Sequence, residues 1–169
     1  TLDSQINQNM DKLQRNQYPG RGIVLGMTPD GQNLVQIYWI MGRSANSRNR
    51  IFETEDGFVK TKAFDEAKLE DPSLIIYYPA RHYQNQHIIT NGDQTDTIYK
   101  ALQEGGSFES ALATRVFEPD APNYTPRISG LTNLDGGQFV YQLSIIKTVD
   151  HNPEHCSHQF FNYQKALAG

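Results

Sequence analysis

The sequence predicts an α+β protein built on a largely antiparallel sheet, and three observations predict it. Strand-like apolar runs come in pairs around turn residues, at Pro29-Asp30-Gly31, at Asp56-Gly57 and at Asp135-Gly136-Gly137. Between residues 93 and 117 the apolar spacing lengthens to that of helices, broken by Gly105-Gly106. Finally, no internal repeat or low-complexity linker divides the 169 residues, so a single domain over 1–169 is expected, with 1–17 as a polar N-terminal extension.

Taken in order, Leu2, Ile6, Met10 and Leu13 recur at helical spacing and predict a short helix with a thin apolar stripe. "IVLG" and "LVQIYWIM" read as two strands joined by "MTPDGQN". "RIFETEDGFVKTKAF" reads as a second hairpin, and "AFDEAKLED" as a helical turn or a loop. "SLIIYY", residues 73–78, is apolar on consecutive positions, the mark of a strand buried on both faces. "HIIT" is another short strand. A helix starts at Asp93 or Thr95 with Ile98, Ala101 and Leu102 on one face, and Ser107 caps a second over "FESALATRVF". "EPDAPNYTPR" holds three prolines in ten residues and is expected to be irregular. "ISGLTNLDGGQFVYQLSIIKTV" is the third hairpin, and the tail after residue 150 is read as a polar loop.

Composition narrows the function classes. Apolar residues are 37% of the chain, charged ones 20%, and there are 9 Tyr and 8 Phe, so the chain buries a core rather than staying disordered. A net charge of -4 argues against a broad basic face for long nucleic acid, while a small anion on a local arginine cluster stays open. One cysteine, Cys156, excludes an internal disulfide and a thiolate metal cage. His151, His155, Cys156 and His158 lie within eight residues, but no second ligand pair accompanies them, so no metal is expected. No charged-then-apolar leader opens the sequence and no apolar run approaches the ~20 residues of a bilayer span. The expectation is a soluble, cytoplasmic protein without a membrane partner.

Four polar segments follow strand ends or lie between elements: 18–22, 41–50, 91–96 and 118–127. Together they supply Arg21, Arg43, Arg48, Arg50 and Arg127, with Asn46, Asn49, Asn91, Asp93, Asp96, Glu118, Asp120, Asn123 and Tyr124. The guanidinium fork matches phosphate oxygens, and an Asn amide both donates and accepts, which suits a carboxamide or a base edge. The plainer alternative is that these arginines pair with surface acids and these asparagines cap turns. Thr1 would serve as an N-terminal nucleophile only if it is a true N-terminus on a strand, and its surroundings read as a polar helix. "GRGIVLG" lacks the P-loop lysine and the dinucleotide fingerprint, and neither a G-x-S-x-G elbow nor H-E-x-x-H occurs.

The segments "YPGRG" (18–22), "YWIMGRSANSRNR" (38–50), "DPSLIIY" (71–77), "NGDQTD" (91–96) and "EPDAPNYTPRISG" (118–130), in this order, resemble the archaeal-type IMP cyclohydrolase family and its bacterial relatives. The resemblance implies a four-layer αββα sandwich of the N-terminal-nucleophile hydrolase type, without use of an N-terminal nucleophile. It also implies dehydrative ring closure of 5-formamidoimidazole-4-carboxamide ribonucleotide to IMP, in purine biosynthesis. Because both reacting groups sit on one ring, such a catalyst must rotate them into attack geometry, move protons and shield an oxyanion. No cofactor and no metal are required for that.

On this reading Tyr77 is the proton donor or oxyanion partner, Glu118 the acid or base with Asp120 behind it, and Arg43 is counted with the catalytic set. Arg43, Arg48 and Arg50 hold the phosphate or the carboxamide oxygen, and Arg21 approaches from the neighbouring strand. Asn46, Asn49 and Asn91 orient the amide and formyl groups, and Asp93, Asp120, Asn123, Tyr124 and Arg127 line the pocket. The expected partner is a small purine nucleotide, with a homo-oligomer left open. A nucleotide sensor without turnover, and an amidohydrolase using Thr1, are the alternatives.

Overall fold

The computed structural model describes all residues from Thr1 to Gly169. Nine strands and four α-helices alternate in an α+β arrangement, and every strand pairing is antiparallel. Helix α1 covers Leu2–Arg15 and buries no residue, so its stripe of Leu2, Ile6 and Met10 faces outward. Strands β1 (Arg21–Met27) and β2 (Leu34–Ile40) form a two-stranded sheet, with Gly31 at φ 70° in the connecting turn. After the short helix α2 (Ala45–Arg48), strands β3 (Arg50–Glu55) and β4 (Phe58–Ala63) turn at Asp56 and Gly57, both at positive φ. Residues Glu66–Lys68 make one 3-10 turn.

Strands β5 (Ala80–Tyr83), β6 (Gln86–Thr90), β7 (Arg127–Asn133), β8 (Tyr141–Val149) and β9 (Asn152–Tyr163) continue β3 and β4 in chain order into a seven-stranded sheet. Helices α3 (Gln94–Gln103) and α4 (Phe108–Leu112) interrupt it after β6. Strand alternation sends Ile88 of β6, Leu131 of β7 and Ile146 of β8 to one face. There they join Ile98 and Leu102 of α3 and Phe108 and Leu112 of α4 in the apolar core. The opposite face meets the β1–β2 sheet. Leu25 of β1 lies so close to Gly130 that a Cβ there would stand 3.1 Å from it, and Gln36 of β2 donates to Thr132 Oγ1 at 2.9 Å. The layers are thus helices, seven strands, two strands.

Three expectations are corrected. Residues 73–78 are not a strand. The amides of Ile75 and Ile76 both donate to the carbonyl of Pro72, which bends the chain into a turn. Thr61 then holds the segment. Its hydroxyl donates to Ile75 O at 2.7 Å and accepts from Tyr77 N at 2.9 Å. Side-chain and turn bonds therefore satisfy a buried apolar run that a ladder was expected to satisfy. The tail is no loop either: β9 is a twelve-residue strand, joined to β8 through Asp150 and His151, both at positive φ. Asp and His enter that region without a glycine, as Gln84 does at φ 51° between β5 and β6. Finally, α4 is only five residues long, and its Ser107–Ser110 capping box closes it at the start.

Candidate functional site

A cavity of about 500 Å³ opens where β1, the loop after β2, the 71–75 turn and the 118–126 loop come together. Arg21 enters it from the first position of β1. Gly22, next along, lies against the Trp39 ring, where a Cβ would collide. That close approach draws the strand down onto β2 and aims Arg21 at the 118–126 loop. Its Nη1 donates to Glu118 Oε1 at 2.6 Å, and Glu118 is 2% exposed. Burial pushes the Glu118 carboxyl above the ordinary carboxylate range, and the neighbouring Arg21 only partly offsets this. Burial also pulls on Arg21, but Glu118, Tyr77 and Tyr38 outweigh it and hold the guanidinium firmly charged. The pair is a fixed cation beside a carboxyl that takes a proton easily.

Seven of the fourteen sequence-nominated residues line the cavity: Arg21, Arg43, Asn46, Asn91, Glu118, Asp120 and Asn123. Arg43 is exposed, and its Nη2 donates to Thr125 Oγ1 at 3.3 Å, with no carboxylate partner. Thr125 in turn is bound by Asp120 through both its amide, at 2.6 Å, and its hydroxyl. Asn46 spends its amide on the chain, donating to Asp71 O and accepting from Glu70 N. Buried Asn91 does the same with Pro126 O and Ile128 N, and also accepts from Gln94. With Asp71 also at the wall, two guanidiniums face three carboxyl groups, so the cavity is mixed in charge rather than uniformly cationic.

The other seven sit around it. Arg48 donates through Nε to Gly42 O at 2.8 Å, tying α2 to the loop before it. Asn49 exchanges two 2.8 Å bonds with the backbone of Asp65, so its amide pins one loop to another. Tyr124, at φ 44°, packs its ring edge-on to Phe117 at 5.4 Å. Arg127 is 4% exposed and gives Nη1 to Asp93 Oδ1 at 2.7 Å and to Gln94 at 2.8 Å. Asp93 also takes Arg115 Nη2 at 2.6 Å. Burial pushes Asp93 up, but Arg115 and Arg127 outweigh it and hold the carboxyl below its usual range. Tyr77, 5% exposed, lies behind the wall with its hydroxyl 2.8 Å from that of Tyr38, and Arg50 stands beside them with Nη2 buried and unpartnered.

Sequence reasoning missed Tyr38, Thr125 and Arg115. Tyr38 was hidden in an apolar strand run, Thr125 is a small residue in a proline loop, and Arg115 lay within an expected helix from which no role was read. Thr1 caps α1, its Oγ1 accepting from Ser4 N at 3.4 Å, and takes no part in the cavity. On β9, His155 points to the face opposite that of Cys156 and His158, and His158 Nε2 lies 2.7 Å from Arg115 O. No group of three or more His, Cys, Asp or Glu side chains is gathered closely enough to hold a metal ion, and no helix is long and apolar enough to cross a membrane.

An antiparallel α+β protein with a polar cavity, holding a buried Arg–Glu pair and a free arginine, is of the kind that handles a small polar or anionic molecule. The profile of one such family, described as IMP cyclohydrolase-like protein, matches residues 18–165. The chain belongs to that family. It is 30% identical over 125 residues, 72% of its length, to a protein of Methanopyrus kandleri named IMP cyclohydrolase. It is 28% identical over 128 residues, 73% of its length, to a protein of that name from Methanosphaera stadtmanae. In both cases the match spans 61% of the relative's length.

Proposed function

We propose that this cavity is the site of an IMP cyclohydrolase, closing 5-formamidoimidazole-4-carboxamide ribonucleotide to IMP with loss of water. One observation carries the reading: Arg21, Arg43 and Glu118, separated by up to 97 positions, converge on one cavity in a chain of this family. The names of the two archaeal relatives supply IMP, and the open-ring precursor is the one the family resemblance implies.

Each group then has a task. The carboxamide nitrogen forms a bond to the formyl carbon and loses a proton, while the formyl oxygen gains one; the tetrahedral carbon then releases that hydroxyl as water as the formamide nitrogen sheds its N–H proton and the C=N bond of the ring forms. Glu118 takes the first proton and returns one to the leaving hydroxyl, a role suited to a carboxyl raised toward neutral pH. Arg21 stays charged throughout and opposes the charge that develops on the formyl oxygen. Arg43, free of any carboxylate, holds the phosphate, and that remote binding keeps the reacting end in place. Asn46, Asn91, Asn49 and Arg48 serve through the backbone they fix rather than by touching substrate. Asp93 and Arg127 support the wall behind Gly92, where a Cβ would stand 3.0 Å from Arg127 Nη1.

The three layers also fit part of a four-layer αββα sandwich in a single domain. A fourth layer of helices would cover the outer face of the β1–β2 sheet, where Val24 and Ile37 are 44% and 49% exposed. Chromatography of the open-ring ribonucleotide incubated with the protein tests the reaction. IMP should form, and should form about a hundredfold more slowly with Glu118→Gln. Tight IMP binding without turnover would replace this reading with that of a nucleotide sensor.

A further inference from the structure

Behind the cavity wall lies a group of side chains that the proposed reaction does not use. Tyr38 of β2 and Tyr77 of the 73–78 turn share a 2.8 Å hydrogen bond between hydroxyls. Both rings are held in place. That of Tyr38 rests on Phe52 of β3 with centroids 5.9 Å apart, and Tyr77 is pinned at N and O to Thr61 by bonds of 2.9 Å each. Three charged groups face the pair: Arg21 from β1, Arg50 from β3 and Glu118 from the loop before β7. Two guanidiniums against one carboxylate leave one positive charge uncompensated. The atoms agree with that count, because Arg50 Nη2 is buried without a partner and its Nη1 reaches only Ile75 O, at 3.5 Å. A buried guanidinium left in this state favours a negative oxygen beside it.

We propose that Tyr38 is a positioning residue that donates the shared hydrogen bond, so that Tyr77, once its own proton has left to solvent, faces the Arg21 and Arg50 guanidiniums as a phenolate. Burial first, and Tyr77 second, push Tyr38 far above the usual tyrosine range, so Tyr38 keeps its hydrogen. Tyr77 is also raised by burial, but the Tyr38 hydrogen bond, Arg50 and Arg21 all act to lower it. Arg21 is the link to the reaction, and here the inference rests on the proposed function. The same guanidinium faces Tyr77 and is bonded to Glu118. Negative charge on Tyr77 draws on Arg21 and raises the affinity of Glu118 for its proton, so Tyr38 adjusts the acid–base group through two neighbours.

The direction of the bond fixes the sign of the test. Fluorotyrosine is incorporated in place of tyrosine to bring phenol titrations down to pH values at which the fold survives. The 19F signal lost in Tyr77→Phe identifies that residue. In Tyr38→Phe, which keeps the ring on Phe52, the Tyr77 titration should move to higher pH by about one unit or more, the worth of a hydrogen bond to a charged oxygen. Arg50→Gln should move it the same way. A dispersed spectrum for the other tyrosines shows that each variant is folded. An unchanged or lowered Tyr77 titration in Tyr38→Phe overturns the proposal, since a lowered one means that Tyr77 is the donor. In the ring-closure assay Tyr38→Phe should lower kcat and shift its pH profile while KM stays within about twofold. An unmoved profile in an active parent removes the link to Glu118. A parent that forms no IMP defeats the proposed function instead, and the fluorine titration still decides the donor.

Discussion

On the helix side of the seven-stranded sheet, Ile88, Leu131 and Ile146 meet Ile98, Leu102, Phe108 and Leu112 in an apolar core, with the buried Arg127 at its edge. Toward the β1–β2 side, the protein buries Thr61, Tyr77, Asn91, Glu118 and Thr125 as deeply. The first region is held by area removed from water, which asks little of geometry. The second is held by bonds that must each be satisfied, and Arg50 Nη2 shows one that is not. The helix side gives the stability on which the other side sustains a buried ion pair, a displaced carboxyl and an orphan donor.

Substitutions on the two sides should therefore differ in what they cost. The largest effect is expected for Phe108→Ala, which removes a 1% exposed ring set edge-on to Phe160 at 6.3 Å. It should lose about 3–5 kcal/mol in urea denaturation. A loss near zero would mean that this core is not packed as described. Next comes Glu118→Gln, which should lower kcat about a hundredfold while the melting temperature moves little. A large fall in Tm with kcat intact would reverse the roles of the two regions. Gly22→Ala drives a methyl into the Trp39 ring and should cost about 1–3 kcal/mol, with Arg21 displaced from Glu118 as a consequence. Its kcat should fall with its stability, which would mark the strand contact as the joint between the regions.

Smaller effects sharpen the comparison. Arg43→Ala should raise KM about tenfold at constant kcat, because one charge-assisted contact is lost and no partner is orphaned. An unchanged KM would take Arg43 out of the proposed phosphate site. The smallest expected effect is in pH dependence. Asp93 is held below its unfolded value, so its contribution is present at neutral pH and fades as pH falls through the folded value. Glu118, held above its unfolded value, works in the opposite sense: protonating it relieves the burial of charge. Asp93→Asn should therefore flatten the loss of stability below about pH 4, read from urea midpoints at successive pH values. An acid limb as steep as the parent's would show that the Arg115–Asp93–Arg127 cluster adds nothing there.

The three glycine hairpins were legible because Asp-Gly and Pro-Asp-Gly restrict the backbone locally, and a two-residue rule is enough to find them. Helix α3 was legible from Ile98, Ala101 and Leu102. The Asp150–His151 turn was not, because nothing in those two side chains demands positive φ; the pairing of β8 with β9 imposes it. The run 73–78 misled for a related reason. Its apolarity correctly announced burial, at 4% exposure for Ile75 and 5% for Tyr77, but burial does not reveal which partner satisfies the backbone. Here the partner is a threonine side chain on β4.

By itself the sequence determined the α+β class, most turns, the family and the polar segments from which the cavity is built, because these depend on neighbours along the chain. Tertiary structure alone decided which arginines stay free and which are consumed. Arg43 and Arg127 are equivalent in a sequence, yet one faces a hydroxyl and the other a carboxylate and a glutamine amide. A guanidinium's chemistry is set by the charge and water within a few ångströms, and folding brings those neighbours from tens of residues away.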